Sequence, residues 1–266
     1  AEYEVHRRWG ERFATRVAHS LEDSDFTTFF GFSSAALEAL EAARRMGVLA
    51  IVDEIAPTHL EDRIIAEEQE RFPGWELTHA PTPPAFLDRL KAEWASADRI
   101  LVNSQWSRQA LLDEGCDPKK LAIVPISYEA NRIPLRPKTR SKNRPLKVLW
   151  LGTLNLRKGF PYAIEAARRL LGQPVEFTFV GPSTIDLAKV NWPDNATYLG
   201  QIPRPEVPEL WDRHHLYLLP TLSDGFAITQ IEAQAHGLPI VVTPNCGDVV
   251  VHGRSGFRVE PRDPGG

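Results

Sequence analysis

Short apolar runs alternate with helical patterns along the second half of the chain, and this alternation constrains the fold more than any other feature. The pattern predicts buried strands at 147–152, 175–181, 196–200, 216–220, 239–243 and 256–260. Helical segments separate several of these strands, and one of them begins near Pro161 and ends at Gly172. Strands separated by helices of this length imply right-handed crossovers, so we predict a doubly wound, parallel α/β sheet.

The first half repeats this theme in a less regular form. Trp9, Phe13, Val17 and Leu21 step by four along a predicted opening helix. Ser104 is the predicted N-cap of a later helix that ends at Gly115. Strands are predicted at 26–32, 48–52, 98–104 and 121–126, with a helix at 34–46 between the first two. Two α/β domains in series are therefore expected.

A connector between the two predicted domains lies at 129–147. It carries three prolines and seven basic residues and has almost no apolar periodicity. We place the domain boundary at residue 143, which gives domains at 1–143 and 144–266.

Composition excludes several classes of protein. With 266 residues, of which 42% are hydrophobic, the chain can bury a core in about two domains. Its net charge of -4 gives no electrostatic reason to expect nucleic acid or an anionic membrane as the main partner, although local basic patches remain open. No apolar run reaches the roughly 18 residues that span a bilayer. Cys116 and Cys246 lack metal-ligand spacing and are expected to be reduced thiols in a cytoplasmic protein.

One candidate binding segment follows the strand at 147–152. That strand ends at Gly152, Thr153 comes next, and Arg157 and Lys158 stand just before the following helix. In doubly wound sheets, ligands bind beyond the C-terminal ends of the strands. Two adjacent cations at this edge could neutralise a diphosphate, and the alternative is a solvated basic loop.

A second candidate segment, 221–243, follows the strand at 216–220. We predict a helix from Phe226 to His236, preceded by a turn, so that the backbone N–H groups of Gly225, Phe226, Ala227 and Ile228 could cradle an anion. Asp224 falls at or just before the expected N-cap, and Glu232 follows eight residues later at nearly the same azimuth. The alternatives are a plain N-cap for Asp224 and an exposed helix charge for Glu232. Small apolar neighbours of Glu232 favour a polar partner such as a ribose diol.

Together these segments resemble a known family. The stretches "KVLWLGTLNLRKGF", "VEFTFVG", "YLGQIPRPEVPELW", "LYLLPTLSDGFAITQIEAQAHGLPIVVT" and "GRSGFRVEP" are similar, in order and spacing, to retaining glycosyltransferases of the GT-B fold, in the large family-four group. The resemblance covers about 145–261 and implies two Rossmann-like domains, the first of them incomplete. It also implies transfer of a sugar with retention from a nucleotide-diphosphate donor of UDP or GDP type, without metal or another cofactor.

The resemblance implies roles for individual residues. The acids of the family's E-x7-E motif are Asp224, near the donor sugar, and Glu232, on the nucleotide ribose. Lys158 corresponds to the family's phosphate-binding lysine. The family's arginine after the strand glycine is Thr153 here, and Arg157 is expected to replace it. The acceptor is a saccharide, a lipid or a small molecule, and peripheral membrane contact remains possible.

The first half resembles the family more weakly. Where the family often has a functional histidine at a strand end, this chain has Asp53 or Glu54, with His59 a little further on. The family's opening strand and glycine-rich loop are not recognisable. The alternatives are a fragment of a longer enzyme, a naturally shortened protein that keeps the donor half, and a non-catalytic nucleotide-sugar-binding module. The "DSD" at 23–25 has the spacing of a metal-binding D-x-D, but no other ligands gather near it, so we expect no metal.

Overall fold

The computed structural model describes residues 2–22, 25–77, 80–129 and 144–266. The predicted domain boundary at residue 143 and most of the connector lie outside these residues. The chain forms two compact units, one of Ala1–Asp62 with Ala80–Pro125 and the other of Arg63–His79 with Ile126–Gly266. The segment 63–79 therefore belongs to the second unit. A single boundary at residue 143 does not allow for this segment.

The first unit contains a four-stranded parallel sheet with helices around it. Its strands follow one another in the order β1-β2-β3-β4. In chain order the elements are α1 (Glu2–Glu22), β1 (Thr28–Phe32), α2 (Leu37–Arg45), β2 (Leu49–Glu54), α3 (Thr58–Arg71), α4 (Pro84–Ser96), β3 (Arg99–Val102), α5 (Gln105–Asp113) and β4 (Leu121–Ile123). Of these, α3 belongs to the first unit only up to Asp62, and its remainder belongs to the second unit. The four predicted strands and the N-cap role of Ser104 are confirmed, since the Ser104 hydroxyl oxygen accepts the Ser107 N–H at 3.1 Å.

The second unit contains a six-stranded parallel sheet in the order β10-β9-β8-β5-β6-β7. Its elements are β5 (Leu146–Leu151), α6 (Phe160–Arg169), β6 (Val175–Val180), β7 (Ala196–Tyr198), α7 (Val207–Arg213), β8 (Leu216–Leu219), α8 (Ile228–Ala235), β9 (Ile240–Val242) and β10 (Gly256–Arg258). The chain moves outward from β5 through β6 to β7 and then returns to place β8 on the other side of β5. This reversal defines a doubly wound sheet, as predicted.

Burial on both faces explains why the central strands are almost continuously apolar. Leu149 and Trp150 of β5 are fully buried, and so is Phe179 of β6. Phe160 of α6 packs edge-on against Phe179 with ring centroids 5.5 Å apart. One part of the core of the second unit therefore lies between the central strands and α6, and the same core includes Trp211 of α7 and Ala233 of α8.

The segment 63–79 is held in the second unit by aromatic packing and buried polar contacts. Phe72 packs edge-on against Tyr162, with ring centroids 5.7 Å apart. The Tyr162 hydroxyl donates to the buried carboxylate of Glu68 at 2.7 Å, and Arg262 Nε donates to the same carboxylate at 2.7 Å. Two donors on one buried carboxylate offset the cost of removing its charge from water.

Gly159 sits where the loop after β5 enters α6, and no other residue type fits there. Its φ of 70° lies in the left-handed region, and a Cβ atom would stand 1.9 Å from the Pro220 carbonyl oxygen. The loop after β5 and the end of β8 therefore approach each other at van der Waals distance, which a side chain at Gly159 would prevent.

We expect Gly159→Ala to destabilise the chain much more than Gly172→Ala. Gly172 has a similar φ of 80°, but a Cβ there would meet nothing within 4 Å. The control should cost about 1–2 kcal/mol of unfolding free energy, from backbone conformation alone, and Gly159→Ala at least about 3 kcal/mol, because the backbones must separate. Urea denaturation of both variants measures this, and equal losses would show that the close approach is unimportant.

Candidate active site

The candidate site lies at the C-terminal ends of β5 and β8, the adjacent central strands at which the strand order reverses. The loop after β5 begins at Gly152 and Thr153 and ends at Gly159. The loop after β8 carries Asp224 and leads into α8. Loops that diverge from such a reversal leave a crevice, which is the usual ligand site of doubly wound sheets. The structure therefore brings together the two segments singled out in the sequence.

An ion pair joins the two loops. Lys158 Nζ contacts the Asp224 carboxylate, and each of these side chains is 17% exposed. Arg157 Nη1 donates to the Ser223 carbonyl at 2.8 Å, and the Leu222 N–H donates to the Arg157 carbonyl at 2.8 Å. The solvated basic loop considered above is therefore not what the structure shows, because both cations are directed at the β8–α8 loop.

Two asparagines that sequence analysis did not single out hold these loops in place. Asn155 Oδ1 accepts the Lys158 N–H at 2.7 Å. Asn245 Nδ2 donates to the Leu222 carbonyl at 2.8 Å, and the Asn245 carbonyl accepts the Asp224 N–H at 2.8 Å. The available signal was their place in the chain, since each comes shortly after a predicted strand at the same sheet edge.

Helix α8 begins later than predicted, which changes the expected roles of Asp224 and Ala227. Its first residue is Ile228, and the N-cap is Ala227, without a side-chain cap. Asp224 is therefore not the N-cap but the partner of Lys158. The Ala227 N–H donates to the Cys246 carbonyl at 2.9 Å, so it is not available for an anion. The loop after β9 competes for this donor and delays the helix start.

Three of the four N–H groups predicted to bind an anion remain available to do so. In the described part of the chain, the N–H groups of Gly225, Phe226 and Ile228 make no hydrogen bond. They stand at or next to the first turn of α8, where backbone N–H groups have no partner within the helix. Any anion cradle at this edge is therefore formed by these three donors.

Glu232 occupies the second turn of α8, and its side chain is only 13% exposed. Burial raises the pKa of its carboxyl, although the nearby positive charges of Arg204 and His236 oppose the shift. Arg204 Nη2 approaches Glu232 Oε1 to 3.8 Å from a largely exposed position. The alternative of an exposed helix charge is wrong, because the apolar surroundings inferred from the sequence do enclose this carboxylate.

Tyr217 and Cys246 are buried side chains that sense the charge of Asp224, and neither was singled out as a site residue. The buried Tyr217 hydroxyl donates to the Leu151 carbonyl at 3.2 Å and shares a hydrogen bond of 2.6 Å with Thr229. Burial raises the pKa of the Tyr217 hydroxyl and of the Cys246 thiol, and the charge of Asp224 adds to both shifts. Cys246 is therefore a neutral thiol and not an activated nucleophile.

The residues proposed to stand in for the family's histidine have separate environments in the first unit. Glu54 is buried and accepts a hydrogen bond from Trp94 Nε1 at 3.0 Å. His59 pairs with Glu114 beside a cavity of about 20 Å³, room for about one or two water molecules. Only Asp53 is both half-buried and at the strand end, and burial raises the pKa of its carboxyl.

The described residues contain no group of three or more histidine, cysteine or acidic side chains arranged to hold a metal ion. Asp23 and Ser24 of the "DSD" stretch lie outside these residues. In the described part of the chain, no helix is long and apolar enough to cross a membrane.

Solved structures share this arrangement of strands and helices. An apo lipopolysaccharide outer core galactosyltransferase, WaaB, matches 96% of this chain and 68% of its own, with a TM-score of 0.67 and 15% identity. Anabaena HepE in complex with UDP and glucose matches 94% of this chain and 68% of its own, with a TM-score of 0.62 and 16% identity. Identities this low compare folds only, and the fold is GT-B.

Sequence comparisons point to the same kind of protein. Residues 145–266 match the model of the glycosyl transferases group 1. The putative colanic acid biosynthesis glycosyltransferase WcaL of Salmonella typhimurium is 28% identical over 208 residues, which are 72% of this chain and 51% of WcaL. The amylovoran biosynthesis glycosyltransferase AmsK of Erwinia amylovora is 26% identical over 180 residues, 62% of this chain and 44% of AmsK. The chain thus spans about half the length of these curated relatives.

The environment of Glu54 predicts a pH-dependent stability. Burial raises the pKa of Glu54 from 4.5 to about 7. The folded chain therefore keeps a proton that the unfolded chain releases, and the stability from this proton is complete below pH 4.5 and is lost as the pH rises to about 7. Relative to the wild type, Glu54→Gln should gain roughly 2–4 kcal/mol of unfolding free energy between pH 4 and pH 8.

Urea denaturation at both pH values measures this gain. Glu209→Gln is the matched control, because Glu209 is 67% exposed. A difference between Glu54→Gln and the wild type that is the same at pH 4 and pH 8 would contradict the assigned protonation.

Proposed function

We propose that this chain provides the donor site of a glycosyltransferase that moves a sugar from a nucleotide diphosphate to an acceptor, with retention and without a metal ion. The observation that carries this proposal is the convergence of Lys158, Arg157 and Asp224 at the reversal of strand order, with Glu232 in the second turn of the helix that follows. The match of residues 145–266 to the model of the glycosyl transferases group 1 supports the reaction class.

The cations would stabilise the leaving group. When the bond between sugar and phosphate breaks, negative charge grows on the diphosphate, and pre-positioned donors lower the energy of that state. Lys158 supplies a mobile ammonium, and Arg157 supplies a planar guanidinium held against the β8–α8 loop. The N–H groups of Gly225, Phe226 and Ile228 add donors at the same edge. These groups would perform the task that a metal ion performs in other transferases.

The two acids would have different duties because their surroundings differ. Asp224 is held by Lys158, so its free lone pairs would accept hydrogen bonds from sugar hydroxyls while the lysine remains beside the phosphate. In the described part of the chain the Glu232 carboxylate accepts no hydrogen bond, and its charged neighbours are Arg204, at 3.8 Å, and His236. The hydroxyls of a ribose diol would satisfy its buried carboxylate, and binding would return its pKa towards the ordinary value.

UDP is the first nucleotide to test, with GDP second. HepE, which shares the fold, is solved with UDP and with UDP-glucose. The relatives named as glycosyltransferases of colanic acid and amylovoran biosynthesis support a saccharide or a lipid-linked saccharide as acceptor. Since the chain spans about half the length of these relatives, the activity and acceptor of the whole protein are part of this proposal.

Calorimetry with UDP and with uridine separates the proposed duties. Glu232→Gln should weaken the binding of both ligands by about ten- to a hundredfold, because both contain the ribose. Lys158→Met should weaken UDP by a similar factor and leave uridine unchanged, because only UDP contains phosphate. Glu209→Gln and Lys189→Met serve as matched controls outside the site and should bind as the wild type does.

Each result has a clear reading. Unchanged uridine affinity in Glu232→Gln would refute the ribose assignment, and unchanged UDP affinity in Lys158→Met would refute the phosphate assignment. Incubation of the same samples with UDP- and GDP-sugars then tests turnover. Sugar release or transfer supports the transferase, whereas tight binding without either supports the non-catalytic module.

A further inference from the structure

Helix α1 carries two parallel rows of side chains on its outer surface. The dipeptides Arg8-Trp9, Arg12-Phe13 and Arg16-Val17 recur every four residues, which places the three arginines in one row. Val5, Trp9 and Phe13 form the adjacent row, here called the apolar row, and Trp9 and Phe13 are 69% and 60% exposed. Large apolar side chains in such a row mark an interaction surface more often than isolated ones do.

The packing on the inner side of α1 explains why the apolar row lies on the outer surface. The helix meets the body of the first unit through small residues, Gly10 and the fully buried Ala14. A Cβ atom on Gly10 would stand 2.3 Å from the Ser34 carbonyl oxygen, so the contact admits nothing larger. Near its start the helix is also fixed by an edge-on ring contact between Tyr3 and Phe86, with centroids 5.4 Å apart. At this contact the helix therefore buries small residues, whereas Val5, Trp9 and Phe13 are exposed, the reverse of an ordinary surface helix.

The charges on the outer surface of α1 indicate which kind of partner this surface binds. Arg7 and Arg8 form ion pairs with Glu4. In the described part of the chain, by contrast, no carboxylate pairs with Arg12 or Arg16. The chain as a whole has a net charge of -4, so a row of arginines with two unpaired members is a local exception.

We propose that this face of α1 docks the protein on an anionic lipid surface. A helix lying in the plane of a bilayer buries its apolar face about 5–10 Å deep, while flanking arginines reach the lipid phosphates. Arg12 and Arg16 would bind phosphates, and Trp9 and Phe13 would enter the boundary between headgroups and acyl chains. A lipid surface supplies phosphate and hydrocarbon side by side along the whole helix and needs no shaped groove. This proposal does not depend on the donor site.

Vesicle sedimentation tests the proposal on the full chain. The wild type should bind vesicles of phosphatidylcholine with phosphatidylglycerol much better than vesicles of phosphatidylcholine alone. Arg12→Gln/Arg16→Gln should weaken this binding by about thirtyfold, as expected for the loss of two charges near an anionic surface. Trp9→Ser/Phe13→Ser should weaken it by at least about tenfold, because the apolar contact is lost. Raising the salt to about 0.5 M should release the wild type.

A matched control is available in the second unit. Phe257 and Arg258 form another exposed pair of an aromatic residue and an arginine, and Phe257→Ser/Arg258→Gln should bind the anionic vesicles as the wild type does. Circular dichroism and urea denaturation confirm that each variant is folded and as stable as the wild type.

Three results would overturn the proposal. One is equal binding to the two kinds of vesicle, and another is a loss in the control as large as that in the α1 variants. The third is a dimer, seen by light scattering after size exclusion, that Trp9→Ser/Phe13→Ser converts to a monomer. In that case a second copy of the chain covers the apolar row.

Discussion

The contact between Lys158 and Asp224 determines the arrangement of the candidate site. It joins the loops that follow the two central strands of the second sheet, and both side chains are largely withdrawn from solvent. Charges in such a position need partners. Separation of the two loops would leave each buried charge without its partner, which costs free energy. Gly159 permits the close approach of the loops, and Asn155 and Asn245 hold the backbone on either side. The geometry of the site is thus built before any ligand binds.

The same arrangement gives the two acids, Asp224 and Glu232, different properties. Asp224 precedes α8 and faces a cation, whereas Glu232 lies inside the helix, and burial raises its pKa. A ligand with a charged end and a neutral diol end would satisfy both, since the cations and free N–H groups lie on the Asp224 side. The proposed nucleotide diphosphate sugar has this polarity, and the fold and the match of residues 145–266 to the glycosyl transferases group 1 model are consistent with it.

The parts of the fold that depend on periodicity could be predicted from the sequence. The strands of both sheets were found because burial on two faces demands apolar runs such as 147–152. The start of α8 could not be predicted, because the Cys246 carbonyl, distant in sequence, takes the Ala227 N–H. Tyr217 and Asn245 were missed for the same reason, since their roles are contacts between loops. In α1 the four-residue spacing predicted the helix but not which side it buries, because Gly10 and Ala14 decide that through packing.

Hydrogen exchange of the chain with and without UDP is the best test of the proposed donor site, because it locates the bound nucleotide without altering any residue. We expect slower exchange in peptides covering 152–160 and 221–232, where the phosphate and ribose groups would lie. Peptides from the first unit, including the surroundings of His59, should exchange at the same rate in both samples. Protection confined to the first unit, or no protection by UDP at a saturating concentration, would contradict the assignment of the donor site.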